Sequence, residues 1–200
     1  MKAASKSATT DNAQDAIVLL TDDHKTVQKL FNEYEKLTQN DAEEEEKAAL
    51  AKQICMELAV HAQIEEEIFY PAVRDAIAET DLLDEAEVEH ASAKDLIAQL
   101  GAMAPGEELF DAKVTVLGEY VNHHITEEQD EMFPKVKKAK LDTASLGAEL
   151  LERKQELQAE LGVGEETDEG EGEEEGEEEE TVTKGDRKPA SRTSKARAAK

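Results

Sequence analysis

A single cysteine, Cys55, occurs in 200 residues. That is too few for a disulfide framework or for the thiolate sets of structural zinc sites, and it fits a reducing compartment. No run approaches the roughly 20 apolar residues of a membrane span. Residues 1–10 hold no apolar stretch of signal-peptide length ahead of Asp11, so a soluble, cytoplasmic protein is expected. Strand patterns are scarce: β-branched alternation is missing, and Ala, Glu, Leu and Lys dominate. Basic residues are also short, at 23 Lys and Arg against 49 Asp and Glu, for a net charge of −26.

The charge is unevenly spread. Residues 165–180 carry twelve acids and no base, while 184–200 carry seven bases and one acid. The last 36 residues hold 13 acids and seven bases, which leaves 36 and 16 for residues 1–164, a charge of −20. Phosphate neutralisation needs clustered Lys and Arg, so this balance argues against nucleic acid as partner of the folded part. The basic end 184–200 could touch it, with the Glu block competing. From Gly162 onward Leu, Ile, Phe and Met are absent, and little can be buried there to offset chain entropy. The expected organisation is a flexible N-terminus over 1–10, a helical domain over 11–140, a further helix over 141–161, and a disordered acidic-then-basic tail over 162–200.

Helical stripes fill the domain. The first runs Ile17, Leu20, His24, Val27, Phe31, Tyr34, with Thr10, Asp11 and Asn12 ahead of it as candidate caps. The second follows Asn40-Asp41 with acids at 43–46, where they suit the helix dipole. It continues through Leu50, Ile54, Leu58, His61, Glu65, Ile68 and Ala72. The third carries Leu83, Ala86, His90, Ala93, Ile97, Leu100 and breaks between Gly101 and Gly106. The fourth carries Phe110, Val114, Leu117, Val121, His124, Glu128, Met132. Pro71 and Pro134 should kink their helices or leave only short continuations. A fifth stripe, Leu146, Leu150, Leu157, Leu161, has Asp142 as cap and ends at Gly162.

Within these stripes lies a duplicated pattern. His61 is followed four residues later by Glu65, and His124 by Glu128; Pro71 and Pro134 close each motif ten residues after the His, just behind an aromatic. Each motif has a second His upstream, His24 at 37 residues and His90 at 34. Positions i and i+4 share a helix face, so each motif presents an imidazole beside a carboxylate, facing inward. A lone His on an apolar face is ordinarily a hydrogen-bonded core residue. Four of them with two inward Glu are hard to satisfy within the protein, because a buried carboxylate is costly unless paired or bound to a cation. A site for two metal ions resolves that cost. His123 falls off the stripe by about 100° and reads as a surface or outer residue. Glu66 and Glu127 flank the ligand positions as bases or solvated groups, and Glu131 is the best spare carboxylate. Cys55, Met56, Met103 and Met132 read as packing residues, and no role is assigned to Tyr34, Tyr70 or Tyr120.

These residues carry a resemblance. The set Thr21-Asp22-Asp23-His24, His61 to Glu66 with Phe69 and Pro71, Glu89-His90, and His124 to Glu128 with Phe133-Pro134 resembles the hemerythrin-like HHE cation-binding domain over about residues 15–138. The resemblance implies an all-α, up-down four-helix bundle holding a non-haem di-iron centre. It also implies a ligand set: His24, His61, His90 and His124 each give one imidazole, and Glu65 and Glu128 bridge two iron ions that share an oxo or hydroxo group. Oxygen-carrying members have a further His one turn from the third-helix ligand; here the positions four away from His90 are Ala86 and Lys94. Their second carboxylate is an Asp five residues after its His, whereas Glu128 is four after His124. Two six-coordinate irons need about twelve positions, four His and two bridging Glu fill about eight, and a shared oxygen fills about two more. Roughly two remain open, one more than in the carriers.

The expected function is therefore binding of O2 or a related diatomic or peroxide, in sensing, storage or protection from oxidative or nitrosative stress. A di-iron enzyme reducing peroxide or nitric oxide would use the same six residues. A metal-free helical module acting through its charged tail is the third alternative. The choice of iron over manganese or zinc rests on the resemblance, since mixed imidazole and carboxylate ligands suit all three.

Overall fold

Apolar residues at three- and four-residue spacing form helices throughout. The computed structural model describes residues 15–161 except residue 79. The N-terminus 1–10, the candidate caps Thr10 to Asn12 and the tail 162–200 lie outside the described residues. Helix α1 spans Ala16–Gln39 and is capped by Asp15, whose side chain accepts from the Ile17 N–H at 2.9 Å. Then come α2 (Glu44–Ile64), α3 (Tyr70–Ala76), α4 (Asp81–Gly101), α5 (Phe110–Glu127), α6 (Phe133–Ala139) and α7 (Thr143–Leu161). Among the described residues there is no strand.

Two π-turns, Glu65–Phe69 and Glu128–Met132, join α2 to α3 and α5 to α6. The Tyr70 N–H donates to the Glu65 carbonyl and the Phe133 N–H to the Glu128 carbonyl, five residues back in each case. A proline follows at once, Pro71 or Pro134. Proline has no N–H, and in an α-helix its ring collides with the carbonyl four residues back. The wider turn eases that collision, and the helix runs on for seven residues. The extra residue also moves the buried face by one position. After Glu65 the core takes Phe69, Tyr70 and Val73, while Ile68 and Ala72 of the expected stripe are only half-buried.

Helices α1, α2, α4 and α5 pack as a ring, each against its two neighbours, in the up-down bundle of hemerythrin-like folds. Two apolar clusters fill the ring. One gathers Leu20, Ile64, Phe69, Leu83, Met132 and Phe133; the other gathers Val27, Ile54, Leu58, Val114, Leu117 and Val121. In the second half, Tyr34 donates to Asp111 at 2.6 Å, and buried Lys47 pairs with Asp111 at 2.9 Å and Glu44 at 3.0 Å. Helix α7 lies on α1 and α2, burying Leu146, Leu150 and Leu157, while Leu161 is exposed. Asp142 caps it, accepting from the Ser145 N–H at 3.1 Å. Among the described residues no helix is long and apolar enough to cross a membrane.

Candidate metal centre

Between the two apolar clusters lies a polar layer made of the six residues singled out in the sequence. His24, His61, Glu65, His90, His124 and Glu128 are all buried, the two glutamates almost completely. The imidazoles form two pairs: His24 Nε2 is 3.1 Å from His61 Nε2, and His90 Nε2 is 3.1 Å from His124 Nε2. Each glutamate reaches one member of each pair. Glu65 Oε2 is 3.3 Å from His61 Nε2 and 3.4 Å from His90 Nε2. Glu128 Oε2 is 3.2 Å from His24 Nε2 and 3.7 Å from His124 Nε2. The donor atoms group as His24, His61, Glu65, Glu128 and as Glu65, His90, His124, with Glu65 common to both.

Outer partners fix which ring nitrogens face inward. His124 Nδ1 is 2.8 Å from Glu89 Oε2, His90 Nδ1 is 3.0 Å from Glu66 Oε1, and His61 Nδ1 is 3.5 Å from Asp23 Oδ2. The side-chain amide of Gln129 lies 2.9 Å from His24 Nδ1. An ionised carboxylate can only accept, so the protons of neutral His90 and His124 sit on Nδ1. Their two Nε2 atoms then face one another at 3.1 Å in a buried layer, and a bound cation, or a proton on His124, whose pKa burial lowers but Glu89 and Glu128 raise, satisfies them. Imidazoles whose far nitrogen donates to a carboxylate are the usual form of metal-binding histidine. Glu65 Oε1 and Glu128 Oε2 are buried with no partner in hydrogen-bonding geometry, a further deficit that a cation makes good. The nitrogen and oxygen donors present fit a borderline or hard divalent ion.

The electrostatics divide the glutamates. Burial, then the charge of Glu128, pushes the Glu65 carboxyl well above its ordinary range. Burial also acts on Glu128, but the imidazoles of His24, His124 and His61 outweigh it and hold that carboxyl at about 2. His90 is driven down to about 4 by burial and by His124.

Tyr70 was not legible as a site residue. Its hydroxyl donates to Glu128 Oε1 at 3.0 Å and lies 3.3 Å from His90 Nε2, at the second cluster. The π-turn brings it there, five residues after Glu65, and Phe133 holds the matching position in the other motif, stacked on His24 at 6.0 Å. The same turn leaves Glu131 exposed, away from both clusters. His123 is exposed and Glu127 is its partner. Glu66 is held by His90 and by Lys94 at 2.6 Å. Cys55 is packed, its thiol pushed up to about 11 by burial.

Lys154 of α7 pairs with Asp23, the outer partner of His61. The added helix is thereby connected to the polar layer. Removing an outer partner typically weakens metal binding 10- to 100-fold. Lys154→Met is expected to do so by about tenfold, read by chelator competition, with unchanged helicity and recovery in Lys154→Arg.

Above the imidazoles lies a cavity of about 40 Å³, walled by Val27, Leu58, Ala93, Ile97, Val121 and Ile125. About 10–15 Å³ of such space holds one water, so there is room for a small molecule beside the imidazoles.

Residues 15–136 match the family model of the hemerythrin HHE cation binding domain. A protein from a Nostoc species named as a DNA nickase is 30% identical over 153 residues, which are 76% of this chain and 41% of that protein. The chain thus spans about two fifths of that relative's length. A crystal structure of a hemerythrin HHE cation binding domain-containing protein from Mycobacterium kansasii superposes with a TM-score of 0.61 at 22% identity, covering 74% of this chain and 89% of that one. That likeness concerns the fold alone. With a family match over most of the described residues and buried His and Glu clusters of metal-binding spacing, the chain belongs to the hemerythrin HHE cation-binding domain family.

Proposed function

We propose that the polar layer holds two iron ions, through His24, His61, His90, His124 and the shared carboxylates Glu65 and Glu128, and binds O2 or a comparably small molecule in sensing, storage or protection from oxidative or nitrosative stress. The facing Nε2 atoms of His90 and His124, with the unpartnered buried oxygens of Glu65 and Glu128, carry this reading, because bound cations satisfy all of them at once. Iron supplies an open, redox-active pair when bound. The chain's own residues then orient the imidazoles and line the approach to them with the apolar side chains of the cavity. The absence of a further His near His90, with Ala86 and Lys94 in those places, supports a site more open than an oxygen carrier's.

Tyr70 favours a second reading, reduction of peroxide or nitric oxide by an external reductant, in which a proton must be delivered. A positioned proton donor contributes about 10²–10⁴-fold. Tyr70→Phe is expected to keep full metal content and to slow reductant-driven peroxide turnover at least tenfold if that chemistry is the function. Unchanged turnover removes Tyr70 from it. DNA nicking belongs to the longer Nostoc protein by name. The 36 acids and 16 bases of residues 1–164 disfavour a phosphate-binding surface here.

Metal analysis of aerobically purified full chain, with visible spectra before and after azide, tests the main reading. Two irons per chain with charge-transfer bands that move on azide are expected. No iron after anaerobic reconstitution of a folded protein would refute it and favour a module acting through the tail.

A further inference from the structure

Three carboxylates accept from the outward nitrogens of the buried imidazoles, and their surroundings differ. Asp23 is paired with Lys154 and Glu66 with Lys94. Glu89, which receives His124 Nδ1 through Oε2, pairs with no lysine or arginine among the described residues. Its other oxygen, Oε1, lies 3.6 Å from His123 Nε2, and that nitrogen is 3.3 Å from Glu127 Oε1. The ligand atoms of the three residues all lie within 4.8 Å of one another. Donors about 2.1 Å from a tetrahedral zinc stand roughly 3.4 Å apart. Where its two counterparts pair with an ammonium, Glu89 pairs instead with a second imidazole, His123, beside a second carboxylate, Glu127.

We propose that Glu89, His123 and Glu127 form a separate, exchangeable site for a divalent cation at the surface, sharing Glu89 with the buried centre. His123 and Glu127 stand one turn apart on α5, so both point to α4, which supplies Glu89. The neighbouring His123 and His124 diverge around the helix, and each engages one oxygen of the same carboxylate. One imidazole and two carboxylates without thiolate suit zinc, manganese or iron(II). The His123 side chain is 66% exposed, so water completes the coordination and the ion exchanges with solvent. Glu89 and His124 also line the cavity over the buried imidazoles, which places the cluster at its rim. An ion on Oε1 draws charge from Glu89 and weakens its hold on the His124 N–H. The buried centre therefore registers whether the surface site is filled.

The site stands whether or not the buried ions are iron; only its coupling rests on that reading. The test uses the full chain, with iron content measured beforehand, and titrates zinc by calorimetry into wild type, His123→Ala and Glu127→Gln. Wild type is expected to take up one zinc per chain that both variants bind at least tenfold more weakly, with equal iron content and helicity in all three. The iron bands should shift on zinc addition in wild type alone. Equal zinc uptake in all three proteins would place the ion elsewhere, the 165–180 acidic run included, and overturn the proposal. The extra zinc without a band shift would overturn the sharing of Glu89. If iron never loads, the same wild-type-minus-variant difference is read on the iron-free protein, so failure of the buried iron and failure of this site remain distinct results.

Discussion

Glu65→Gln is expected to empty the metal centre while leaving the metal-free protein as stable as before or more so, whereas Glu128→Gln should empty it and destabilise that protein. Glu65 is common to both donor groups, so its loss takes an oxygen from each. In the absence of metal its carboxyl is held well above the ordinary range. A raised carboxyl contributes stability that is present below the unfolded value near 4.5 and is lost as pH rises through the folded one, so at neutral pH it is a burden. A neutral amide removes that burden, and a gain on the order of 1–3 kcal/mol follows from relieving an unpaired buried group. Glu128 is the reverse case. Held at about 2 by His24, His124 and His61, it contributes stability present above 4.5 and lost as pH falls toward 2, on the order of 3 kcal/mol. Urea unfolding of the two metal-free variants at neutral pH, beside metal analysis, decides the matter. Equal destabilisation by both would contradict the division of roles between the glutamates.

Metal removal is the second large effect. An ion bound only by the folded state stabilises it by about 4 kcal/mol at a free concentration of 1,000 Kd. For a chain of this size each kcal/mol shifts the melting temperature by roughly 2–4 °C, so complete chelation should lower it by about 10 °C or more. His61→Ala should show the lower melting temperature without chelator and little further change with it. A melting temperature indifferent to chelator in a protein that binds metal would mean that the polar layer is satisfied internally, against the geometry of His90 and His124.

Much of the centre was legible from residue spacing because helical geometry is local. His61 with Glu65 and His124 with Glu128 are set side by side by the 3.6-residue turn alone, and the structure buries both pairs. The stripes through His24 and His90 placed those imidazoles inward for the same reason. The register failed past Glu65, whereas Met132, four residues past Glu128, is buried as its stripe placed it. A stripe extended through Ile68 and Ala72 assumes an unbroken α-helix, and the π-turn ahead of Pro71 inserts a residue that exchanges them for Phe69, Tyr70 and Val73. Proline predicted a disturbance there but not the direction in which the face would turn.

The sequence by itself determined an all-helical chain, the six inward polar residues and their family, since these follow from periodicity and short-range spacing. Tertiary structure alone decided the rest. Asp23 adjoins His24 in sequence yet serves His61, and Glu89 adjoins His90 yet serves His124. Consecutive residues on a helix diverge by about 100°, so the neighbour of an inward imidazole faces the next helix. Lys154 reaches Asp23 across 131 positions, through the packing of α7 on α1. Such partnerships depend on which helices adjoin and at what height, a property of packing that no spacing within one helix encodes.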